Sequence, residues 1–451
     1  MQSGGGQAIA EARIEECLRE GSTTLDLSRL GLEAVPESLG ALTQLTTLNL
    51  GHNRLTALPE AVGNLTDLVK LYAPDNRLAG LPESVGNLTK LTGLDLNRNR
   101  LTALPASFGE LAALAWLDLR RNQLVSLPKL VGNLTNLTTL NLGYNRLIAL
   151  PESVGNLTNL TGFYLGHNKL AILPESLENL TALTKLTELD LSRNQLVALP
   201  ESVGNLTKLT LLYLSHNKLT ALPESVGKLA ELTWLFLNHN QLDVLPDSIG
   251  SLTNLDWLYL DYNRLDVLPE SVGNLTALVR LYLSHNKLTA LPESMKNLTS
   301  LGKLDLGSNR LTTLPDWLGQ LVNLTEVDLR DNRLTALPES VGKLTHLTSL
   351  YVNHNQLVDL PESVGNLTKL TLLYLGNNRL ESLPGSVGKL TALVRLYLEH
   401  NRLVSLPESV TNLTGLVELC LDHNRLTVLP ESLGQFNVSG LEDQICRSSK
   451  A

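Results

Sequence analysis

Residues Leu45 to Asp67 read LTTLNLGHNRLTALPEAVGNLTD. The same pattern returns along the chain, its asparagine falling at 53, 76, 99, 122, 145, 168, 194, 217, 240, 263, 286, 309, 332, 355, 378, 401 and 424, always 23 residues on except for the step of 26 from 168 to 194. An earlier copy, Ser22 to Gln44, has Leu30 where the asparagine belongs. That gives 18 units over residues 22–438, with 1–21 before them and 439–451 after. A chain of 451 residues without repetition would suggest about three globular domains; a fixed period overrides that prior.

Each unit has apolar residues at fixed offsets, in the second copy Leu45, Leu48, Leu50, Leu55, Leu58, Val62 and Leu65. Burying seven such side chains contributes roughly 10–20 kcal/mol gross, while ordering the backbone costs roughly 1–2 kcal/mol for every residue. One unit therefore cannot fold alone, and neighbours must cover each other's apolar faces. The alternation at Leu48 and Leu50 has the period of a strand, and copies entering a stack in one direction must pair in parallel. The asparagine ends the strand, where its amide can satisfy backbone groups of the turn and of the adjoining repeat. Leu30, lacking that capacity, sits in the first unit, where no earlier repeat needs a bridge.

The return segment, Leu-Pro-Glu-Ser-Val-Gly, suits one helical turn: proline at the first helical position, an acid at the N-terminus, and glycine as the left-handed residue that ends it. The expected fold class is α/β, a curved solenoid (a horseshoe) with a parallel β-sheet on its concave face and short helical turns on its convex face. Its ends need covers. Residues 8–20 place Ile9, Ile14, Cys17 and Leu18 near one helical face, predicting an N-terminal capping helix within 1–21. In the tail 439–451, Leu441, Ile445 and Cys446 suggest a short capping helix. Two local faults are expected: Ala73-Pro74 at a strand end, and an outward bulge from the three extra residues within Ala182–Lys185.

The consensus LxxLxLxxNxLxxLPESVGNLTx resembles the leucine-rich repeat family in its 23-residue intracellular form. With the lead-in IEECLREGSTTLDLSRLGLEAVPESL, it is similar to Ras-group proteins and to the repeat domains of Roco GTPases. The resemblance implies protein–protein recognition on the concave face, in signalling, with a small GTPase among the partners. Roco proteins follow their repeats with a GTPase domain, whereas residues 439–451 are all that follow here.

Catalytic and cofactor chemistry finds no foothold in the sequence. The string Gly385-Ser-Val-Gly-Lys-Leu-Thr391 has the wrong glycine spacing for a phosphate-binding loop and leucine where the magnesium-binding hydroxyl belongs. Cys420-Leu-Asp422 resembles the Cys-x-Asp of bacterial effector ubiquitin ligases, but it falls on a repeat strand. No nucleophile–base pair, acid pair or metal cluster stands apart from the repeat, so no enzyme, cofactor or metal is expected. The excess of 45 Asp and Glu over 36 Lys and Arg, a formal charge of −9, argues against nucleic acid. Three cysteines, no apolar run of membrane length and no secretory leader in MQSGGGQ point to a cytoplasmic protein.

Function should reside where copies differ on the exposed side of the sheet. Four residues before the asparagine stand Tyr213, Phe236, Tyr259 and Tyr282, and six before it Trp234 and Trp257, predicting one aromatic patch; Tyr351, Tyr374 and Tyr397 form a second. Such clusters have the composition of an interface hot spot. The alternative is inherited packing, since LYLSHNKLTALPES occurs identically at 212–225 and 281–294. One residue before the asparagine, eight of the nine histidines occupy a single column, read as solvated turn-edge residues with pH-sensitive binding as the alternative. One residue after it, 13 of 17 copies have Arg or Lys; seven after it, 14 are acidic, which suits either steering of an acidic-rimmed partner or ion pairing between repeats. The leading expectation is a non-catalytic scaffold holding a protein or peptide along the sheet. The alternative is an extracellular, innate-immune-type receptor for a pathogen-derived or carbohydrate ligand, which the Asn-Leu-Thr sequons, as at Asn64, would suit.

Overall fold

The computed structural model describes residues 3–173, 183–427 and 445–446. The chain divides into two compact units, Met1–Leu219 with Lys228–Leu232, and Thr220–Gly227 with Thr233–Ala451. Both have the architecture the repeat predicts: an α/β leucine-rich repeat solenoid with a parallel sheet along one side and short helical turns along the other. In the first unit three-residue strands run from Thr24–Asp26 to Leu211–Tyr213. In the second they run from Trp234–Phe236 to Glu418–Cys420. Register follows the repeat, so Leu48 faces Leu71 and Leu258 faces Leu281. The core is a stack of leucines: Leu45, Leu48, Leu50, Leu55 and Leu65 are fully buried, as are most of their counterparts, while Leu416 and Leu426 of the last described copy are half-buried.

The asparagine is the joint between copies. The Asn76 side chain accepts the N–H of Leu55 at 3.0 Å and donates to the carbonyls of Leu50 at 2.9 Å and Ala73 at 3.3 Å. Two of those three bonds reach backward, to the preceding repeat. Leu30 opens the array and has no preceding strand to reach, and its own N–H is taken by Asn53 at 3.0 Å.

The return turns are 3-10 helices of five residues, such as Glu60–Asn64 and Glu270–Asn274. Proline stands one residue earlier than expected, as the extended residue before the turn; Pro59 has φ −69° and ψ 153°. The role expected of glycine is also corrected. Among the described residues, positive φ at glycine occurs only at Gly21 and Gly31, both outside the turns. The repeat glycine is required by close packing instead. A Cβ on Gly273 would lie 2.4 Å from both the Cβ and the carbonyl oxygen of Ser294 in the next turn. Where Lys296 replaces this glycine, the serine of the following turn is replaced too, by Trp317, which is 4% exposed. The left-handed residue lies elsewhere, directly before each asparagine and before Leu30 in the first copy: Arg29, His52, Asp75 and their counterparts to His423 have φ between 52° and 59°.

The N-terminal helix spans Ser3–Glu20 and packs on the first strand and the first 3-10 turn. Its buried face is Ala10, Ile14 and Cys17, spaced four and three residues apart. Ile9 and Leu18, expected on that face, flank it and are 46% and 51% exposed. Gly6, near its start, allows close approach: a Cβ there would clash with the carbonyl oxygen of Leu30. Pro74 is tolerated for a definable reason. In copies with Asp or Asn four residues before the joint, that side chain accepts the N–H two residues on, as Asn49 does from Gly51 at 3.0 Å. Tyr72 offers no such oxygen, so Pro74 forfeits no bond. In the tail, Ile445–Cys446 is a strand paired with Leu419–Cys420 where a short helix was expected. Leu441 lies outside the described residues, as does Ala182 of the bulge expected within Ala182–Lys185; of the rest of that stretch, Leu183 is buried and Lys185 is exposed.

Candidate functional site

The strand alternation turns one side chain of each pair into the core and leaves the residues four and six before the joint on the open face. In the second unit these rows hold the predicted aromatics, and the parallel register aligns them. Trp234 stacks on Trp257 with ring centres 4.4 Å apart and planes 2° from parallel. Phe236 stacks on Tyr259 at 4.7 Å, and Tyr259 on Tyr282 at 4.4 Å. Edge contacts at 6.4 Å tie the two rows together, Trp234 to Phe236 and Trp257 to Tyr259. A second ladder joins Tyr351, Tyr374 and Tyr397 at 5.0 and 4.2 Å. Tyr213, expected in the first patch, stands on the last strand of the first unit, in register with Asp190.

These rings are half-buried rather than exposed, because each covers its neighbour's face and leaves its edge open. Such pairs contribute about 0.5–1.5 kcal/mol each beyond area burial, so packing supplies part of the reason for the aromatics. Burial raises the phenol pKa of Tyr259 and Tyr351, and keeps them as hydrogen-bond donors. Tyr397 is raised by burial and then by its hydrogen bonds to Glu418 and Tyr374.

Charged residues that the sequence reading passed over complete this face. The Arg280 guanidinium lies 4.4 Å from the Trp257 ring centre, and the Lys303 ammonium 5.3 Å from that of Tyr282. Between the ladders, Asp305 and Asp328 stand on adjacent strands. Asp328 holds Arg330 at 2.7 Å, yet burial, ahead of every other influence, raises its pKa to about 6. Asp261 is pushed up to about 7, by burial first and then by the charge of Asp305. Reading the rows across strands, rather than along the chain, would have shown this grouping.

The other columns have structural roles. The histidine column is the left-handed column, and its rings stack along the turn edge: His239 on Tyr262 at 4.2 Å, Tyr262 on His285 at 4.0 Å, His400 on His423 at 4.2 Å. His52 faces Asp75 at 3.5 Å. Among the described residues no group of three or more His, Cys, Asp or Glu is placed to hold a metal ion. The acidic outer column accepts backbone donors from the next repeat, Ser107 N–H to Glu83 at 3.1 Å and Ser294 N–H to Glu270 at 2.9 Å. Cys420 is buried on its strand, and the Gly385–Lys389 segment of the rejected phosphate-loop string is one more 3-10 turn. No helix among the described residues is long and apolar enough to cross a membrane.

Comparison with known proteins agrees with this geometry. The model of the leucine-rich repeat region matches residues 106–197 and 232–326. A second leucine-rich repeat model matches 74–124, 184–242, 322–380, 345–403 and 368–426, and a third matches 44–65. Among solved structures, a leucine-rich repeat protein of Leptospira interrogans is 32% identical over 97% of this chain and 98% of its own, with a TM-score of 0.71. YopM from Yersinia enterocolitica is 27% identical over 94% and 93%, with a TM-score of 0.64. A plant peptide hormone receptor, RGFR1, solved in complex with RGF2, is 28% identical over 92% and 80%, with a TM-score of 0.60. A search of curated proteins returns no match. Repeat period, parallel register, asparagine joint and these matches agree: the chain belongs to the leucine-rich repeat family.

Proposed function

We propose that this protein is a non-catalytic scaffold that binds a protein or peptide on its open sheet face, within a signalling context in the cytoplasm. Proteins built from leucine-rich repeats generally serve protein–protein interaction, and the reading goes further by naming the anchors: Trp234, Phe236, Trp257, Tyr259 and Tyr282 in one group, Tyr351, Tyr374 and Tyr397 in another, and Tyr213 on the first unit's face. The observation that carries it is the pair of aromatic ladders, held in fixed rotation by stacking with their edges open. A partner meeting such a surface finds side chains already ordered, so little rotamer freedom is lost on binding. The Ras-group likeness of the lead-in makes a small GTPase the first partner to try.

Affinity capture with the intact chain tests the assignment. Trp234→Ala combined with Trp257→Ala is expected to abolish recovery of the captured partner while the circular dichroism stays native. Undiminished recovery by the double variant would move the site elsewhere.

A further inference from the structure

On the second unit's sheet, nine strands follow one another from Trp234–Phe236 to Glu418–Cys420, and the row four residues before the joint has a symmetric order. Phe236, Tyr259 and Tyr282 occupy the first three strands, Asp305 and Asp328 the next two, and Tyr351, Tyr374 and Tyr397 the three after. Two aromatic ladders thus flank an acidic centre.

That centre has more negative charge than its own cations answer. Lys303 is engaged by Glu326 at 2.8 Å, and Arg330 by Asp328 at 2.7 Å. Asp305 accepts only the N–H of Gly307, at 3.0 Å, and makes no ion pair among the described residues. The Oδ1 atom of Asp261 is buried without a hydrogen-bond partner among the described residues. Gly307 keeps the floor of the centre low: the Cγ atom of Arg330 and carboxylate oxygens of Asp305 and Asp328 each lie 3.3 Å from where its Cβ would stand. A side chain there would press on the two acids and on the Arg330 stem and crowd the Asp305 carboxylate.

We infer that this face takes an extended peptide with two apolar anchors and one lysine or arginine between them, the cation seated on Asp305 and the anchors on the two ladders. The inference rests on the proposed scaffold role and adds the chemistry of the ligand. Its spacing follows from the sheet. Adjacent strands lie about 4.8 Å apart, so the ladder centres at Tyr259 and Tyr374, five strands apart, are separated by roughly 24 Å, which an extended chain at about 3.3 Å per residue covers in about seven residues. The cation then falls near the middle of the span, because the acidic strands do. A guanidinium or ammonium arriving there relieves the mutual repulsion of Asp261, Asp305 and Asp328, while an acidic residue at the same place would add to it.

A displayed library of random nonapeptides selected on the full chain decides the matter. The expected winners have Lys or Arg between two aromatic or large aliphatic residues. In fluorescence anisotropy with the synthetic winner, Asp305→Lys should weaken binding at least tenfold, and a glutamate-for-cation peptide should recover it on that variant; Asp305→Asn, closer in shape, serves if the lysine variant fails to fold. Winners without a central base, or indifferent to both Asp305 variants yet lost in Trp257→Ala, overturn the charge assignment and leave the scaffold reading standing. Winners unaffected by Trp257→Ala, or no winners at all, overturn both.

Discussion

The open faces of the two units are built on one scaffold and carry different chemistry. In the first unit the row four residues before the joint reads Asp26, Asn49, Tyr72, Asp95, Asp118, Asn141, Tyr164, Asp190 and Tyr213, so no two tyrosines are neighbours. Tyr164, with Asp190 beside it, turns its hydroxyl to the Glu188 carboxylate. The second unit places its tyrosines in runs of adjacent strands, and there they stack. The residue types overlap; the order across strands decides whether a ring becomes a rung of a ladder or a lone donor. Asp and Asn in the same row do local work instead, accepting the N–H two residues on, as Asp95 does from Asn97 and Asp305 from Gly307, both at 3.0 Å.

If the scaffold is shared, its joints should fail equally in both units. Asn99→Ala removes the partners of the Leu78 N–H and of the Ala73 and Leu96 carbonyls; Asn309→Ala does the same to the Leu288 N–H and the Leu283 and Leu306 carbonyls. Leaving buried backbone groups unpaired costs roughly 1–3 kcal/mol each, with partial relief where a carbonyl retains another donor. Each variant should lose about 3–5 kcal/mol in chemical denaturation, and Leu30→Ala far less. A large difference between the two asparagine variants would break the claim of a common scaffold.

The acidic centre of the second unit should give it a distinctive pH response. Asp261 has a folded pKa of about 7 against an ordinary 3.8. Between those values the folded chain retains a proton that the unfolded chain has released, so stability falls as pH rises through that window and levels off above it. Asp261→Asn removes its share of the slope and leaves the part that Asp328 contributes below about pH 6. It should match the parent below about pH 4 and exceed it by roughly 4 kcal/mol at about pH 8, the order that a shift from 3.8 to about 7 implies. The outer glutamates act in the opposite sense. Glu83 and Glu270 have pKa values lowered by the serine bonds they accept, so their contribution is present above the usual glutamate range and is lost as pH falls through their folded values. Denaturant titrations of the parent, Asp261→Asn and Glu270→Gln from about pH 2 to about pH 8 check both signs.

A smaller effect sharpens the ladder itself. A double-mutant cycle on Trp234 and Trp257 should return a coupling of about 0.5–1.5 kcal/mol in stability. The same cycle on Trp116 and Thr139, register neighbours on the first unit's sheet, should return close to zero. Equal couplings would mean that stacking is not what sets the two faces apart.

How far the sequence carried this picture varies by residue. The leucine columns, the parallel register and the backward reach of the asparagine follow from a 23-residue period and the need to pair buried backbone groups. The aromatic ladders follow from the same period, since adjacent copies are adjacent strands. What the linear reading missed belongs to neighbours at other offsets. Glycine in the outer turn looked like a helix terminator because that is its usual local role; only the serine of the next turn reveals that space, not φ, requires it. The acids at 261, 305 and 328 sit in two different columns, and their shared environment appears only when four strands lie side by side. Ile9 and Leu18 were placed on the buried face of the N-terminal helix, where Ala10 stands instead, because a helical stripe read loosely accepts residues just off its centre.

The left-handed column provides the finest test, because it is common to both units and indifferent to their surfaces. A non-glycine residue pays a steric penalty of about 1–2 kcal/mol in this conformation, and the column runs through Arg98 in the first unit and Ser308 in the second, both at φ 53° or 52°. Glycine would relieve that strain while adding freedom to the unfolded chain, and the two effects nearly offset. Ser308→Gly and Arg98→Gly should therefore gain only about 0–1 kcal/mol, whereas Ser308→Val, with a β-branched side chain in the same conformation, should lose at least about 1 kcal/mol. Thermal denaturation of the three variants separates these outcomes. A loss on glycine substitution would show that the column's side chains stabilise the turn by more than their backbone strain costs.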